Sequence, residues 1–409
     1  MPRIKGFRAV RPRPELASRV ASVPYDVVNR DEAAALAEGN DDSFLHVVRP
    51  DIDLPAGTNP YDDAIYAKAA ENFQRLVGSE TLIQDDDESV FLYQQTMNGK
   101  SQVGVVCCCH VDDYENNRIL KHEKTRPAKE DDRARHVTTL GAHAGPVFLT
   151  YRDVESVNAL AADAIKGEPL YDFQAADGVQ HTVWRVADAE PYVEALSAVG
   201  SFYVADGHHR AASAWRAAGA RKSDNPSHTG DEEYNWFLTV LFPAAQLNIL
   251  AYNRILKDLN GHSVQQVIGQ LSALGTLEPT DQPVPDSPGS FCFYMGDGWQ
   301  RLSVPTDSID HADPINSLDV AILEQRVVNS IFGIEDVRTD PRIDFVGGIR
   351  GTEELERHVN SGNWACAVSM YPTSINQLMA VSDADKIMPP KSTWFEPKLR
   401  SGLLVHLLD

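Results

Sequence analysis

Residues 206–210, DGHHR, place an acid, two imidazoles and a guanidinium directly after an apolar segment. The preceding FYVA (202–205) predicts a β-strand, and the alanine-rich residues 208–218 predict a helix that ends at Gly219. A strand, a tight turn and a helix in this order direct free backbone N–H groups and the positive end of the helix dipole towards one point. The sequence therefore predicts an anion site, with phosphate as its natural occupant.

The residue types at this turn fit that chemistry. Gly207 has no Cβ to block a phosphate group, and Arg210 can bind two phosphate oxygens through parallel hydrogen bonds. A positive charge is unfavourable in the first turn of a helix, so the position of Arg210 favours a functional role. Adjacent helical residues such as His208 and His209 point about 100° apart, which disfavours zinc binding by this pair. The alternative interpretation is that Asp206 only caps the helix and Arg210 is solvated.

Two further segments carry groups suited to phosphoryl transfer. Glu123 lies in KHEKTRPAKEDDR (121–133), shortly after an apolar strand-like run, and a carboxylate can accept the proton of a hydroxyl as that hydroxyl attacks phosphorus. A surface acid or a helix N-terminal acid is the alternative for Glu123. In MPPKSTWFEPK (388–398), Lys391, Ser392 and Thr393 offer one cation and two hydroxyls within a proline-bounded loop.

These motifs resemble those of a known group of enzymes. YVADGHHRAASAWRAAGARK (203–222) is similar to the corresponding stretch of the archaeal ADP-dependent free serine kinases, in the ParB/sulfiredoxin-like superfamily. The His-Glu pair at 122–123 and the Lys-Ser-Thr segment at 391–393 are similar to further kinase motifs, and the likeness runs with gaps from about residue 100 to the end. The whole chain also resembles the bacterial family called domain of unknown function 1015.

The resemblance implies a set of roles. Glu123 would be the general base on the acceptor hydroxyl, and Asp206 would hold Mg²⁺ or orient the acceptor. The remaining residues would bind the nucleotide and stabilise the transferring phosphoryl group, with His209 also in a catalytic role; they are Gly207, His208, His209, Arg210, Lys391, Ser392 and Thr393. The cofactors implied are ATP or ADP together with Mg²⁺, and free L-serine is the implied acceptor.

The chain also departs from the kinases. Residues 1–100 have no counterpart that aligns, and the polar segment 221–235 is an insertion. VPYDVVN (23–29) and FLHVVRP (44–50) look like segments of the bacterial family, and we expect them to line the site through Tyr25, Asp26 and Arg49. The donor nucleotide, the acceptor, the oligomeric state and the role of these additional regions stay open.

Composition limits the classes of partner. The 409 residues carry a formal net charge of −22, which argues against nucleic-acid binding because that binding depends on Lys and Arg neutralising phosphates. No run reaches the roughly 18 apolar residues of a membrane helix, and the N-terminus lacks a signal-peptide core, so we expect a cytoplasmic protein. Its partners should be small molecules or other proteins. The five cysteines lack the paired spacing of a zinc site and are expected to be buried.

Apolar runs of strand type alternate with helical patterns along the chain, which indicates an α/β or α+β fold. The predicted architecture is a ParB/sulfiredoxin-like nucleotide-binding core with additional N-terminal and C-terminal α/β regions. We place the N-terminal region at 1–100, the phosphate-binding core at 101–245 and the C-terminal domain at 246–409. The predicted strands that precede the boundary are 89–97, 102–111, 145–151, 181–186, 201–205 and 235–242.

The sequence thus favours a nucleotide-dependent small-molecule kinase. A nucleotide-binding regulator of the ParB kind is the first alternative, although a DNA clamp conflicts with the negative charge. A phosphatase or nucleotidase that uses His209 as nucleophile or acid is the second alternative.

Overall fold

The computed structural model describes all 409 residues, and they form two compact units. The first unit contains Met1–Leu247 and Pro397–Asp409, and the second contains Asn248–Glu396. Both units mix helices and strands, which confirms the predicted fold class. The domain limits predicted at residues 100 and 245 remain a proposal; the units of the structure divide at Leu247 and again at Glu396.

The first unit contains twelve strands before Leu247. They are β1 (Ile4–Lys5), β2 (Val10–Pro12), β3 (Leu82–Gln84), β4 (Val90–Met97), β5 (Lys100–His110), β6 (Ile119–Leu120), β7 (Ala142–His143), β8 (Val147–Tyr151), β9 (Tyr171–Gln174), β10 (Gln180–Val186), β11 (Phe202–Asp206) and β12 (Trp236–Pro243). Each of the six strands predicted from apolar runs is present within two residues of its predicted ends.

Nine α-helices lie between these strands, and the first four of them all come between β2 and β3. They are α1 (Ala17–Val20), α2 (Arg30–Ala37), α3 (Leu45–Val48), α4 (Asp63–Gly78), α5 (Val111–Glu115), α6 (Pro127–Leu140), α7 (Glu155–Ala164), α8 (Glu190–Ser197) and α9 (His208–Asp224). Local signals explain several of the ends. The Asp62 side chain accepts a hydrogen bond from the Ala64 N–H at the start of α4, and α6 begins with a proline and ends at Gly141, whose φ is 66°.

Nine strands form one mixed sheet in the order β6-β11-β8-β12-β5-β4-β10-β9, with β1 added beside β5. β6 and β11 are parallel, with Ile119 opposite Phe202 and Leu120 opposite Tyr203. Parallel neighbours end at the same edge of a sheet. The segments that follow β6 and β11, which contain Glu123 and His208, therefore leave the sheet side by side.

The predicted end of α9 at Gly219 is wrong. The helix continues to Asp224, because the backbone at Gly219 is not left-handed and its last turn carries Arg221 and Lys222, whose charges suit a helix C-terminus. Ala214, Ala217 and other small residues bury one face of α9 against α6 and α5. Burial of that face outweighs the propensity cost of one exposed glycine.

The cysteine prediction is confirmed. All five cysteines are buried, and Cys107 and Cys109 both contact the Thr239 hydroxyl at 3.7 and 3.4 Å, so they share one face of β5. Burial raises the pKa of the Cys108 thiol well above its usual value. The three consecutive cysteines are therefore small apolar residues of the sheet.

The second unit contains eight strands and four helices. The strands are β13 (Asn248–Leu250), β14 (Tyr252–Leu256), β15 (Thr276–Thr280), β16 (Ser290–Tyr294), β17 (Trp299–Ser303), β18 (Ile343–Gly347), β19 (Cys366–Met370) and β20 (Trp394–Glu396). The helices are α10 (Val264–Ser272), α11 (Asp319–Leu323), α12 (Gly351–Asn360) and α13 (Ile375–Asp383), and α11 continues as a π-helix over Glu324–Asn329. Six of the strands form one sheet in the order β15-β17-β16-β19-β14-β18.

The last residues of the chain rejoin the first unit through β21 (His406–Leu407), which pairs with β7. None of the helices combines the length and the apolar composition needed to cross a membrane.

Packing within the large sheet gives a stability prediction. A Cβ on Gly104 of β5 would lie 2.6 Å from Val240 Cγ1 and 2.8 Å from Phe242 Cε1, so Gly104→Ala should overpack the core and lower the free energy of unfolding by about 1–3 kcal/mol. Thermal denaturation measures this loss. The matched control is Gly219→Ala in α9, where a Cβ meets no atom within 4 Å and should leave Tm unchanged or higher. Equal Tm values for the two variants would contradict the packing argument.

Candidate functional site

The DGHHR turn has the backbone that the sequence predicts. Gly207 is the N-cap of α9 with φ 92° and ψ 33°, a left-handed conformation that favours glycine. The Gly207 N–H donates to its neighbour Asp206 Oδ1 at 2.8 Å. A Cβ at Gly207 would lie 2.9 Å from Arg210 Nε, so the guanidinium occupies the space above the turn. The missing side chain thus makes room for Arg210 as well as setting the backbone angle.

Arg210 lies folded back over this turn. One of its terminal nitrogens donates to the Pro146 carbonyl, and the other lies 3.9 Å from Asp206 Oδ2. Its Nε is buried and has no hydrogen-bond partner. The guanidinium is therefore held by two contacts and keeps one buried donor for a further acceptor.

Lys398 is a residue of this site to which the sequence analysis gave no role. Its ammonium donates to Asp206 Oδ2 at 3.2 Å, although the two residues are 192 positions apart. Burial opposes ionisation of Asp206, but the charges of Lys398 and Arg210 outweigh it and hold the pKa of this carboxyl well below its usual value. No local pattern indicates this pair, since the lysine arrives with the segment that returns from the second unit.

The loop after β6 lies across the start of α9. The rings of His122 and His208 meet edge to face with centroids 4.5 Å apart, and the Arg126 backbone N–H donates to His209 Nε2 at 3.1 Å. These contacts bring the His-Glu motif to the DGHHR turn. His208 faces His122, whereas the neighbouring His209 faces the end of the loop.

Glu123 completes a compact group with the two facing histidines. The possible ligand atoms of His122, Glu123 and His208 all lie within 4.8 Å of one another. Both imidazoles are buried, with 2% and 6% of their surface exposed, and His122 Nδ1 and His208 Nε2 have no hydrogen-bond partner. Burial lowers the pKa of His122 to about 3 and that of His208 to about 4, so both rings are neutral at pH 7.

A small cavity of about 40 Å³ adjoins Arg210 in the first unit. Tyr25 and Arg133 line it, and the Arg133 guanidinium lies 4.3 Å from the centre of the Tyr25 ring. Burial raises the pKa of the Tyr25 hydroxyl. The remaining lining residues are mostly apolar, and they include Val137, Val147, Phe237 and Leu238.

The two other N-terminal residues that we expected at the site differ in position. Asp26 lies close enough to His209 for its charge to raise the pKa of that ring, although burial has the larger, opposite effect. Arg49 is absent from the cavity lining. It donates to the Tyr25 and Val28 carbonyls and pairs with Asp51 at 2.8 Å, so it holds the loop that carries Tyr25.

The Lys-Ser-Thr segment belongs to the second unit. Lys391 has a left-handed φ of 58°, and its ammonium lies 5.3 Å from the centre of the Tyr252 ring. The Ser392 hydroxyl is buried and donates to the Pro389 carbonyl at 2.6 Å, while the Thr373 hydroxyl donates to the Ser392 carbonyl at 2.9 Å. The segment is thus well ordered in its own unit, and its part in nucleotide binding stays a prediction.

Comparison with known proteins identifies the family. The family model DUF1015, described as a protein of unknown function, matches residues 4–321. The chain belongs to this family. No curated protein matches this DUF1015 chain.

Several solved structures resemble the DUF1015 chain at low identity. A conserved hypothetical protein from Pyrococcus furiosus is 13% identical with a TM-score of 0.34, and the match covers 74% of this chain and 95% of that one. SbnI from Staphylococcus aureus, truncated at its C-terminus, is 13% identical with a TM-score of 0.40 over 74% and 87% of the two chains. A free serine kinase in complex with AMP is 12% identical with a TM-score of 0.34 over 74% and 91%.

The ion pair at the turn gives a pH prediction. Asp206→Asn should lower the free energy of unfolding by about 1–3 kcal/mol at pH 7, because Lys398 loses a charged, half-buried partner. The folded pKa of Asp206 lies below the unfolded value of about 3.9, so this stabilisation is present above that pH and is lost as the pH falls through the folded value. The Tm difference between wild type and variant should therefore shrink below pH 4.

The control for this measurement is Asp163→Asn. Asp163 pairs with Lys166 on an exposed helix face, where both side chains are more than 70% exposed, and its loss should change the free energy of unfolding by less than about 1 kcal/mol. A Tm difference for Asp206→Asn that stays constant from pH 7 to pH 3 would contradict the ion-pair explanation.

The conformation of Gly207 gives a second prediction. Gly207→Ala should lower Tm, because alanine in a left-handed conformation costs about 1–2 kcal/mol and its Cβ would displace Arg210. Gly200→Ala, just before β11, is the control, since its Cβ meets nothing within 4 Å and its φ is not left-handed. A Gly207→Ala protein as stable as this control would show that the turn relaxes without loss.

Proposed function

We propose that the protein is a nucleotide-dependent phosphotransferase that acts on the hydroxyl of a small molecule. Free L-serine is the proposed acceptor, O-phosphoserine the product, and ATP or ADP the donor. The observation that carries the proposal is the position of the Glu123 carboxylate, within 4.8 Å of His208 in the first turn of α9. An acid that can accept a proton and a turn that can bind phosphate thus occupy the same place.

The donor phosphates would bind at the Gly207 turn. The first N–H groups of α9 have no partner within the helix, and the helix dipole adds to their attraction for an anion. Arg210 supplies a fixed positive charge, and its buried Nε still lacks an acceptor. We assign the nucleoside to the cavity that Arg210 lines, because aromatic Tyr25 and the apolar walls suit a base, and the cavity would have to open to admit it.

His208 and His209 would act as neutral groups. Burial lowers the pKa of both rings, so at pH 7 each offers a hydrogen bond to the transferring phosphoryl group and no formal charge. His209 Nε2 already accepts a hydrogen bond from the Arg126 backbone, which leaves Nδ1 for a ligand. This arrangement makes His209 a weaker nucleophile and disfavours a phosphatase that uses His209 in that role.

Glu123 would activate the acceptor. A serine hydroxyl is a poor nucleophile at neutral pH, and transfer of its proton to a carboxylate as the O–P bond forms removes the unfavourable charge. Glu123 is half-buried on a loop, so its carboxylate can reach a small acceptor that enters from solvent. The bond from the γ-phosphorus of ATP, or the β-phosphorus of ADP, to the leaving oxygen then breaks.

Mg²⁺ is the metal that such a reaction implies, and Asp206 is the residue proposed to hold it. When bound, the ion would neutralise charge on the nucleotide oxygens. Asp206 has the right donor type, but both of its oxygens already accept hydrogen bonds, from Gly207 N–H and from Lys398. A fit for Mg²⁺ therefore requires that Lys398 release Oδ2.

Glu123→Gln tests the proposal. Wild-type protein incubated with L-serine, Mg²⁺ and either ATP or ADP should form phosphoserine, which mass spectrometry detects. Glu123→Gln should lower kcat by about 10²–10⁴-fold while the nucleotide Kd stays unchanged, because the base acts only during transfer. Glu115→Gln, an exposed acid at the end of α5, is the control and should keep full activity.

Three results of this experiment would contradict the proposal in part or in full. No phosphoserine with either donor overturns serine as the acceptor, and no transfer to any small hydroxyl compound overturns the phosphotransferase. Nucleotide binding without turnover, unchanged by Glu123→Gln, would instead favour the ParB-like regulator.

A further inference from the structure

We propose that His122, Glu123 and His208 bind one divalent transition-metal ion, with Zn²⁺ as the expected ion. The proposal does not depend on the phosphotransferase activity. It rests on three side chains from two separate segments whose possible ligand atoms all lie within 4.8 Å of one another. Two imidazoles and one carboxylate are a ligand set that zinc uses in catalytic sites.

Unpartnered nitrogens are the second observation. Only 2% of the surface of His122 and 6% of that of His208 are exposed. Even so, His122 Nδ1 and His208 Nε2 have no hydrogen-bond partner. A buried polar atom without a partner costs about 1–3 kcal/mol, and proteins rarely leave two such atoms in one place. A metal ion that accepts both lone pairs accounts for both nitrogens at once.

The surroundings of His122 orient it as a ligand. The Val204 backbone carbonyl lies near the His122 ring and favours an N–H directed at it, and His122 Nδ1 is the nitrogen without a partner. Histidines that bind metals commonly donate their second ring N–H to a carbonyl or carboxylate in this manner. His209 does not join the set, since its Nε2 accepts the Arg126 N–H.

The donor types select the metal. Imidazole suits Zn²⁺ and other transition ions, whereas Mg²⁺ prefers oxygen ligands only. No thiolate belongs to the cluster, and all five cysteines are buried. Three protein ligands leave at least one coordination position for water or for an oxygen of a substrate.

Metal binding requires only a small adjustment. Ligands about 2.0–2.1 Å from a tetrahedral zinc are about 3.4 Å from one another, so the widest separation must close by roughly 1.4 Å. Glu123 is half-buried on a loop and can supply that movement, while the two rings stay in contact. A single Glu123 oxygen completes the set, which leaves the second oxygen able to accept a proton.

Zinc binding to the full-length protein tests the inference. Chelator-treated wild-type protein, without nucleotide or acceptor, should bind one Zn²⁺ per chain in isothermal titration and in elemental analysis. The same site loaded with Co²⁺ should show the visible absorption of a nitrogen- and oxygen-ligated ion and no thiolate charge-transfer band. Wild-type protein that is folded and binds no zinc would overturn the proposal.

Variants locate the site. His122→Gln and His208→Gln should reduce bound zinc to background, and Glu123→Gln, which changes a loop residue and should preserve the fold, should weaken zinc binding by at least about tenfold. His209→Gln is the matched control and should bind zinc as wild type does. If all four variants bind zinc equally, the ion sits elsewhere and the inference is wrong.

The two proposals fail separately. Zinc bound at the cluster with no phosphoserine formed leaves the metal site standing and removes the phosphotransferase. If protein that binds no zinc forms phosphoserine with Mg²⁺, the metal site is removed and the phosphotransferase stands.

Discussion

The pairing of β6 with β11 is the constraint on which the candidate site depends. Two opposed residue pairs, Ile119 with Phe202 and Leu120 with Tyr203, make these strands parallel neighbours at one end of the nine-stranded sheet. Their continuations must leave the sheet at the same edge. A loop of six residues then covers the start of α9, and the contact of two imidazole rings fixes its approach. Loss of this pairing would separate the acid from the phosphate-binding turn, although neither motif had changed.

Charge at the turn is balanced by a residue from the far end of the chain. The final segment rejoins the first unit, where Lys398 pairs with Asp206, and Arg400 donates to His181 Nε2 at 3.2 Å and also binds Asp177. A carboxylate on a buried strand end is costly without a cation, and two cations above a helix N-terminus are costly without an acid. The pair therefore stabilises an arrangement that neither segment could hold by itself.

Burial gives the histidines of this region a chemistry different from that of exposed imidazoles. His122 and His208 are neutral at pH 7 because desolvation lowers their pKa, and neutral rings are the form that binds metals and that donates a single hydrogen bond. Among the histidines, zinc was expected only of the adjacent pair His208 and His209, if anywhere, and adjacent helical residues point in different directions. The relevant pair comes from two segments 86 positions apart, so helical geometry within one segment gave no information about it.

Much of the secondary structure followed from the sequence, because strands and helices depend on local patterns of apolar residues and on capping groups. Six of the nine strands of the large sheet, and the succession of strand, turn and helix at Gly207, were predictable in this way. The helix end at Gly219 was not, since burial of the alanine face outweighed a local stop signal. The partners of each group depend on strand order and on the path of the chain between units, and neither is a local property. The sequence by itself therefore determined which residues could perform chemistry. The tertiary structure decided that Glu123, His122 and Lys398 meet at the Gly207 turn. Only the parallel pairing of two strands and the return of the C-terminal segment bring these distant residues together.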